Sequence, residues 1–252
     1  MIVRLSVYGG KVKCMSGLEV RPLIEDASAP VEGAANLDAQ VVACAAELFL
    51  RHGIESVKMV DIARAAQVGV ATVYRHFSTK GALAVSAVTL LWKRFNRQIL
   101  RIVESDQFLQ LNGLGRLYVL LEAYCTAYSA HADFVSLLDE FDHLVLSDQL
   151  NRSGLVEYGA ELESFYPIFE DAYLLGRMDG SIVREVAFRS FYLALAHALI
   201  GVAQKLCRGE IIPTDDFSSG EEEMRCIINM AIWSLTGSAT VPRPVITIEM
   251  EG

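Results

Sequence analysis

The sequence has little of what extracellular, fibrous or membrane proteins need. Its 252 residues hold five cysteines, at 14, 44, 125, 207 and 226, with no CxxC pair. A disulfide framework wants an even number in a shorter chain. Cys44, Cys125 and Cys226 fall in apolar helical patterns and read as small core residues, so a reducing, cytoplasmic compartment is expected. Six Pro and eighteen Gly are too few for a fibrous or low-complexity chain. The longest apolar run without a charge, Phe191 to Ala203, is 13 residues. A bilayer span needs roughly 17–25, so no membrane association is expected. Met1 to Gly10 has one Arg and a broken apolar run, unlike a secretory signal. There is no Walker loop, no GxGxxG, no GxSxG and no HExxH, so neither an enzyme nor a cofactor is expected.

What is present is apolar and acidic. Apolar residues make up 52% of the chain, enough to bury a sizeable core. The net charge of -9 argues at first against a nucleic-acid partner, but it is unevenly spread. Residues 1–83 hold nine Lys/Arg and eight Asp/Glu, net +1, whereas residues 84–252 hold thirteen and twenty-three, net -10. The acidity belongs to the second part, and a DNA-facing module at the front remains open.

Residues 1–35 show no helical period and read as an extension with one short strand, Ile2 to Tyr8. From Leu37 the pattern is helical. Val41, Val42, Ala45, Leu48 and Phe49 share one face, and Gly53 stops that helix. Short helices follow at Met59–Ala66 and Val70–Phe77. Ser78 is expected to cap a long helix from Thr79 to near Glu104, with Lys93, Arg94, Arg97 and Arg101 as a solvated face. Further helices are expected at about Leu114–Ser129, Ala132–Ser147, Val156–Met178, Arg184–Cys207 and Gly220–Leu235. The chain is thus all-α with about nine helices. It divides into an extension (1–35), a module (36–83), a long helical part (84–240) and a β-branched tail (241–252).

The sharpest local feature is the pair of short helices. Ile62 and Ala63 face inward, and the small Ala63 lets a second helix approach closely. Gln67-Val68-Gly69 is a three-residue turn, and Val73 is the inward residue of the second helix. Such a pair forms a helix-turn-helix, whose second helix can enter the major groove.

Val68 to Leu83, VGVATVYRHFSTKGAL, resembles the recognition helix and linker of TetR-family transcriptional regulators, whose pattern is close to GVSxxTLYRHFxSKxAL. Ala45 to Gly53 and Asp61-Ile62-Ala63 resemble that family's first two helices, so the likeness covers about residues 37–83. It implies a reading edge of Val70, Ala71 and Thr72: two apolar contacts suited to thymine methyls, and a hydroxyl. It further implies that Tyr74 and His76 reach phosphates or a base methyl, that Arg75 reaches a guanine or the backbone, and that Lys80 pairs with a phosphate. The chain departs from the family at four places. Asp38 and Gln40 stand before helix one where Arg is frequent, Lys58 replaces a phosphate-touching Thr, Gln67 replaces the turn glycine, and Gly69 replaces a capping Ser. Lys58 can restore the lost phosphate contact with a charge. With five Lys/Arg against four Asp/Glu over 36–83, DNA binding is expected to be weak or steeply salt-dependent.

The resemblance implies that the acidic part binds a small molecule and forms a homodimer. Two further features agree. The helices at about 184–207 and 220–235 carry apolar faces wider than one subunit needs, with Ala194, Ala196, Ala198 and Gly201 keeping part of the first one small; two such helices from each chain would make a four-helix interface. Tyr124, Tyr128, Phe141, Phe165 and Phe169 are candidates to line an effector site for an apolar or aromatic molecule, with plain core packing as the competing reading. Glu140-x-x-His143 puts two polar groups on one helix face; lacking a second copy, it reads as a polar face and no metal is expected. The function expected is a ligand-responsive dimeric regulator, a repressor released from double-stranded DNA at a palindromic operator by a small-molecule effector. The alternative is a helical small-molecule binding protein whose DNA module has weakened.

Overall fold

The computed structural model describes residues 12–13, 19–20, 34–147, 155–209, 214, 216 and 219–237. The expected strand Ile2–Tyr8, Cys14 and the 241–252 tail lie outside the described residues. Two short strands, β1 (Val12–Lys13) and β2 (Glu19–Val20), pair antiparallel, with Val12 opposite Val20. Among the described residues the rest of the regular structure is helix: α1 (Ala34–His52), α2 (Met59–Ala65), α3 (Val70–His76), α4 (Lys80–Val103), α5 (Asp106–Leu109), α6 (Gly113–Ala130), α7 (Ala132–Ser147), α8 (Val156–Glu163), α9 (Tyr166–Asp179), α10 (Phe188–Arg208) and α11 (Gly220–Thr236).

The all-α class holds, with eleven helices among the described residues in place of about nine. One addition is the four-residue α5, opened by the Ser105 hydroxyl, which accepts the Phe108 N–H at 3.3 Å. The other comes from Val156–Met178, which is two helices. Pro167 sits in the first turn of α9, where its missing N–H costs nothing, and it cannot sit inside a continuous helix. Nor is Ser78 the cap of α4. The helix begins one residue later, and the Thr79 hydroxyl accepts the Ala82 N–H at 3.0 Å.

By packing, the chain groups into two compact units. One holds α1, α2, α3, α4 as far as Asn96, α7 and α8; the other holds the rest of α4, α5, α6, α9, α10 and α11. The helices α7 and α8, which follow the long linker helix in sequence, thus pack with the helix-turn-helix.

In the first unit the core is built on Ala45, Ala46, Phe49, Ile62, Ala63 and Val73, with Leu83, Ala84, Leu91 and Phe134. Trp92 meets Phe95 and Phe134 edge-on, each with ring centroids 5.3 Å apart. Phe141 packs on Tyr158 at 5.1 Å, and burial, with the Asp142 charge adding to it, pushes the Tyr158 phenol up to about 12. The basic cluster on α4 is not a solvated face as a whole. Arg94 is buried at 8%, and Lys93 bridges to Glu157 at 2.5 Å, while Arg97 and Arg101 are exposed.

In the second unit α6 and α9 approach so closely that only glycines fit. A Cβ on Gly113 would lie 2.5 Å from the Ala172 carbonyl oxygen and inside the backbone of Gly176. Asp179, at the end of α9, caps the start of α6: its Oδ2 accepts the Gly113 N–H at 2.8 Å and its Oδ1 the Ser181 N–H at 2.8 Å. Burial is the largest single influence and pushes the Asp179 pKa up, but the hydrogen bonds from Ser181 and Gly113 and the Arg116 charge together outweigh it, so the pKa lies below its ordinary value. Because the folded carboxyl holds its proton less tightly than the unfolded one, its contribution is whole at neutral pH and fades as pH falls through the lowered value. Asp179→Asn should therefore lower the thermal midpoint at pH 7. The gap from wild type should close as melts are taken to pH 2.

Cys125 is buried and its thiol is pushed up to about 12, mainly by burial, so it is inert at neutral pH. Cys44 is half-buried and Cys226, expected inside, is exposed on α11.

Candidate nucleic-acid interface

Three short-range devices build the helix-turn-helix. At the start of α2, the Asp61 carboxylate accepts the Lys58 N–H at 3.3 Å. Across the turn, the Val68 N–H reaches back to the Ala63 carbonyl at 2.9 Å. Within the turn, Gln67 takes φ +54, the left-handed region. A side chain there is strained by about 1–2 kcal/mol, and this is the position where Gln67 stands in place of the turn glycine that the resemblance implies. Gln67→Gly should thus raise stability by up to about 1 kcal/mol net of glycine's entropy, seen as a small rise in melting midpoint.

Gly69 precedes α3 in extended conformation, and α3 ends where Phe77 turns extended while its N–H still bonds to Val73. Val73 is 1% exposed and anchors α3 to the core. The opposite face is open: Tyr74 is 51% exposed, and Val70, Ala71 and Arg75 face solvent with it. Thr72 is half-buried beside Gly69. Lys58 is exposed at the start of α2. Six of the eight expected contact residues, Lys58, Val70, Ala71, Tyr74, Arg75 and His76, are thus exposed.

Two of the eight, His76 and Lys80, are engaged within the module. His76 Nδ1 lies 2.7 Å from Asp38 Oδ1 on α1, and His76 Nε2 lies 3.4 Å from Arg75. Lys80 Nζ donates to three carbonyls of the loop after α1: Ile54 at 2.8 Å, Glu55 at 3.0 Å and Val57 at 3.2 Å. Its three donors are therefore spent inside the protein, so as it stands Lys80 holds a loop. Gln40, the other flagged residue before helix one, donates to the Ala66 carbonyl at 3.1 Å and ties α1 to the end of α2. Sequence reasoning missed Glu140, whose Oε2 accepts the Ile54 N–H at 2.6 Å. The Glu-x-x-His step was its only signal. The partner of that step, His143, bonds to the Asp139 carbonyl on its own helix at 2.7 Å.

Of the five candidate effector residues, four come together in the second unit. Tyr124 meets Tyr128 at 5.7 Å, Phe165 at 5.4 Å and Phe169 at 5.7 Å, all nearly perpendicular. Tyr192 of α10 joins through Phe169 at 5.2 Å. Burial, then neighbouring Tyr128 and Tyr192, push the Tyr124 phenol well above its ordinary value, so it stays protonated. Phe141 does not join them; it is the ring against Tyr158 in the first unit.

The outer part of α10 is apolar and open. Phe188, Leu195, Leu199 and Ala203 turn inward, while Ala194, Ala198 and Gly201 face out. By length and composition this helix is long and apolar enough to cross a membrane, which the 13-residue uncharged run understates, and 11% of its most apolar stretch is buried. On α11, Met230 and Trp233 are exposed, with Arg184 over the Trp233 ring at 5.6 Å.

Residues 41–87 match the sequence model described as bacterial regulatory proteins, tetR family. No curated protein matches the chain in sequence. Among solved structures, a TetR transcription regulator from Haloarcula marismortui superposes with a TM-score of 0.62 at 16% identity, covering 80% of this chain and 98% of that one. The fatty acid degradation regulator FadR from Bacillus halodurans gives 0.55 at 16% identity, covering 80% and 96%. The choline complex of a protein from Saccharomonospora viridis gives 0.59 at 16% identity, covering 77% and 96%. These likenesses show a shared fold. Residues 41–87 thus match the tetR-family module, and the chain shares the fold of these regulators.

Proposed function

We propose that this chain is a dimeric, ligand-responsive DNA-binding transcriptional regulator of the cytoplasm, acting as a repressor at a palindromic operator. The observation that carries this reading is the outward face of α3, where Val70, Ala71, Tyr74 and Arg75 lie opposite a buried Val73. Val70 and Ala71 suit thymine methyls and Thr72 offers a hydroxyl to a base edge. Tyr74, His76, Arg75 and Lys58 lie toward the phosphates, and Lys80 supports them through the loop it holds. A second copy covers the open faces of α10 and α11, as a four-helix interface requires. Two-fold symmetry then sets half-sites roughly 34–36 Å, or a multiple, apart.

The effector is a small apolar or aromatic molecule at Tyr124, Tyr128, Phe165 and Phe169. Support for small-molecule control comes from the choline held by a protein of the same fold. An effector releases DNA only if it binds the DNA-incompetent arrangement more tightly than the competent one. The helix α4, which belongs to both units, is the element through which such a preference is passed.

A gel-shift titration on the DNA flanking its own gene tests the reading. Tyr74→Ala is expected to weaken binding about ten-fold or more, since one base or phosphate contact is worth about 1–3 kcal/mol; equal binding by both proteins contradicts the docking. A second reading, a helical small-molecule binder with a weakened DNA module, is favoured by one observation: Lys80 and His76 spend their groups inside the module. A shallow salt dependence and a small ratio of specific to nonspecific binding would favour that second reading.

A further inference from the structure

We propose that Glu140 is a positioning residue for the helix-turn-helix: its carboxylate fixes the Gly53–Ile54 peptide and so ties α7 to the loop that launches α2 and α3. The functional consequence rests on the DNA-binding reading above; the clamp itself does not.

Three observations meet at one peptide. The Ile54 N–H donates to Glu140 Oε2 at 2.6 Å, the short distance of a charge-assisted bond. The same carboxylate lies over the Cα of Gly53, where a Cβ would run into Oε1 and sit 2.9 Å from Oε2. Gly53 also takes φ +77, so it is required twice, once for its conformation and once for the approach of Glu140. On the other side of the residue, the Ile54 carbonyl accepts from Lys80 Nζ, which also holds Glu55 and Val57. Ile54 is therefore gripped at its N–H by a carboxylate from α7 and at its carbonyl by an ammonium from the first residue of α4. Its side chain and that of Val57 are buried, so the loop has no slack toward the core.

The loop runs straight into Lys58, the residue before α2, and α2 carries α3 through the Gln67 turn. A shift of α7 relative to this loop leaves the Ile54 amide without its acceptor. It also frees the entry to α2. The rings of Phe134 and Phe141 fix α7 against Trp92 and Tyr158 in the same unit, so repacking of those rings reaches the loop through Glu140.

The test compares wild type with Glu140→Ala and Glu140→Gln, each as the full chain. Amide exchange is followed in segments 53–58, 70–77 and 188–208, and binding to the DNA flanking its own gene is measured across salt concentrations. Glu140→Ala is expected to speed exchange at least ten-fold at 53–58 and 70–77 and to leave 188–208 unchanged. DNA binding should weaken about ten-fold with an unaltered salt slope, since Glu140 touches no phosphate. The glutamine oxygen can still accept the Ile54 N–H, so Glu140→Gln should recover most of both losses. If the alanine variant does not fold, Glu140→Gln carries the test alone, with a smaller acceleration, below ten-fold, confined to 53–58 and 70–77. Unchanged exchange at 70–77, acceleration spread equally over 188–208, or a glutamine variant no better than alanine overturns the proposal. Wild type failing to bind any of the DNA removes the regulator reading, while the exchange arm still decides the clamp.

Discussion

Gly113→Ala is expected to lower stability by about 3 kcal/mol, and the thermal midpoint by about 10 °C. The methyl would lie 2.5 Å from the Ala172 carbonyl and inside the Gly176 backbone, and backbone cannot rotate aside as a side chain can. The helices α6 and α9 would have to separate, and the contacts of Tyr124 with Phe165 and Phe169 would loosen along with the Asp179 cap. Gly176→Ala serves as the comparison. Its methyl would meet the buried Ile182 side chain rather than backbone, so its cost should be smaller. Melting curves followed by circular dichroism check both. Equal midpoints for Gly113→Ala and wild type would mean that the crossing is looser than described.

Phe169→Ala should cost about 3–5 kcal/mol, the usual range for deleting a buried ring. Its ring sits edge-on to Tyr124 and tilted against Tyr192, joining α9 to α6 and α10. Such edge contacts add to plain area burial. The same variant probes the proposed effector role. If the four rings serve only as core, added apolar or aromatic compounds should leave the variant's midpoint where it was. If one of them is a ligand that replaces the lost ring, it should restore part of the midpoint through mass action. Urea titration of the variant with and without such compounds separates the two.

The helix-turn-helix was legible because its signals are local. Gly53 ending α1, Ala63 and Val73 facing inward, and the turn at Gln67 follow from spacing and backbone preference, and the structure places them so. The bounds of α7 came out as expected for the same reason: apolar residues at 134, 135, 138 and 141 leave one register open. What was not legible depends on partners distant in sequence. Lys80 looks like a free cation until the loop carbonyls of Ile54, Glu55 and Val57 are seen around it. Glu140 reads as a polar surface residue until the Ile54 amide is found beside it. Periodicity marks Phe141 as apolar and inward, as it does Phe165, but does not say which of two units each ring enters. The split between α8 and α9 was masked because apolar spacing runs on through Phe165 and Phe169, although Pro167 stood in plain view.

Nuclease protection of the DNA flanking its own gene, read at single-nucleotide resolution with wild type and Tyr74→Ala, bears most directly on α3 as a groove-reading helix in a two-fold pair. Two equal protected patches on palindromic halves, centred roughly one helical turn or a multiple apart and both lost in the variant, are the expected pattern. A single patch, or protection that survives in Tyr74→Ala, contradicts it.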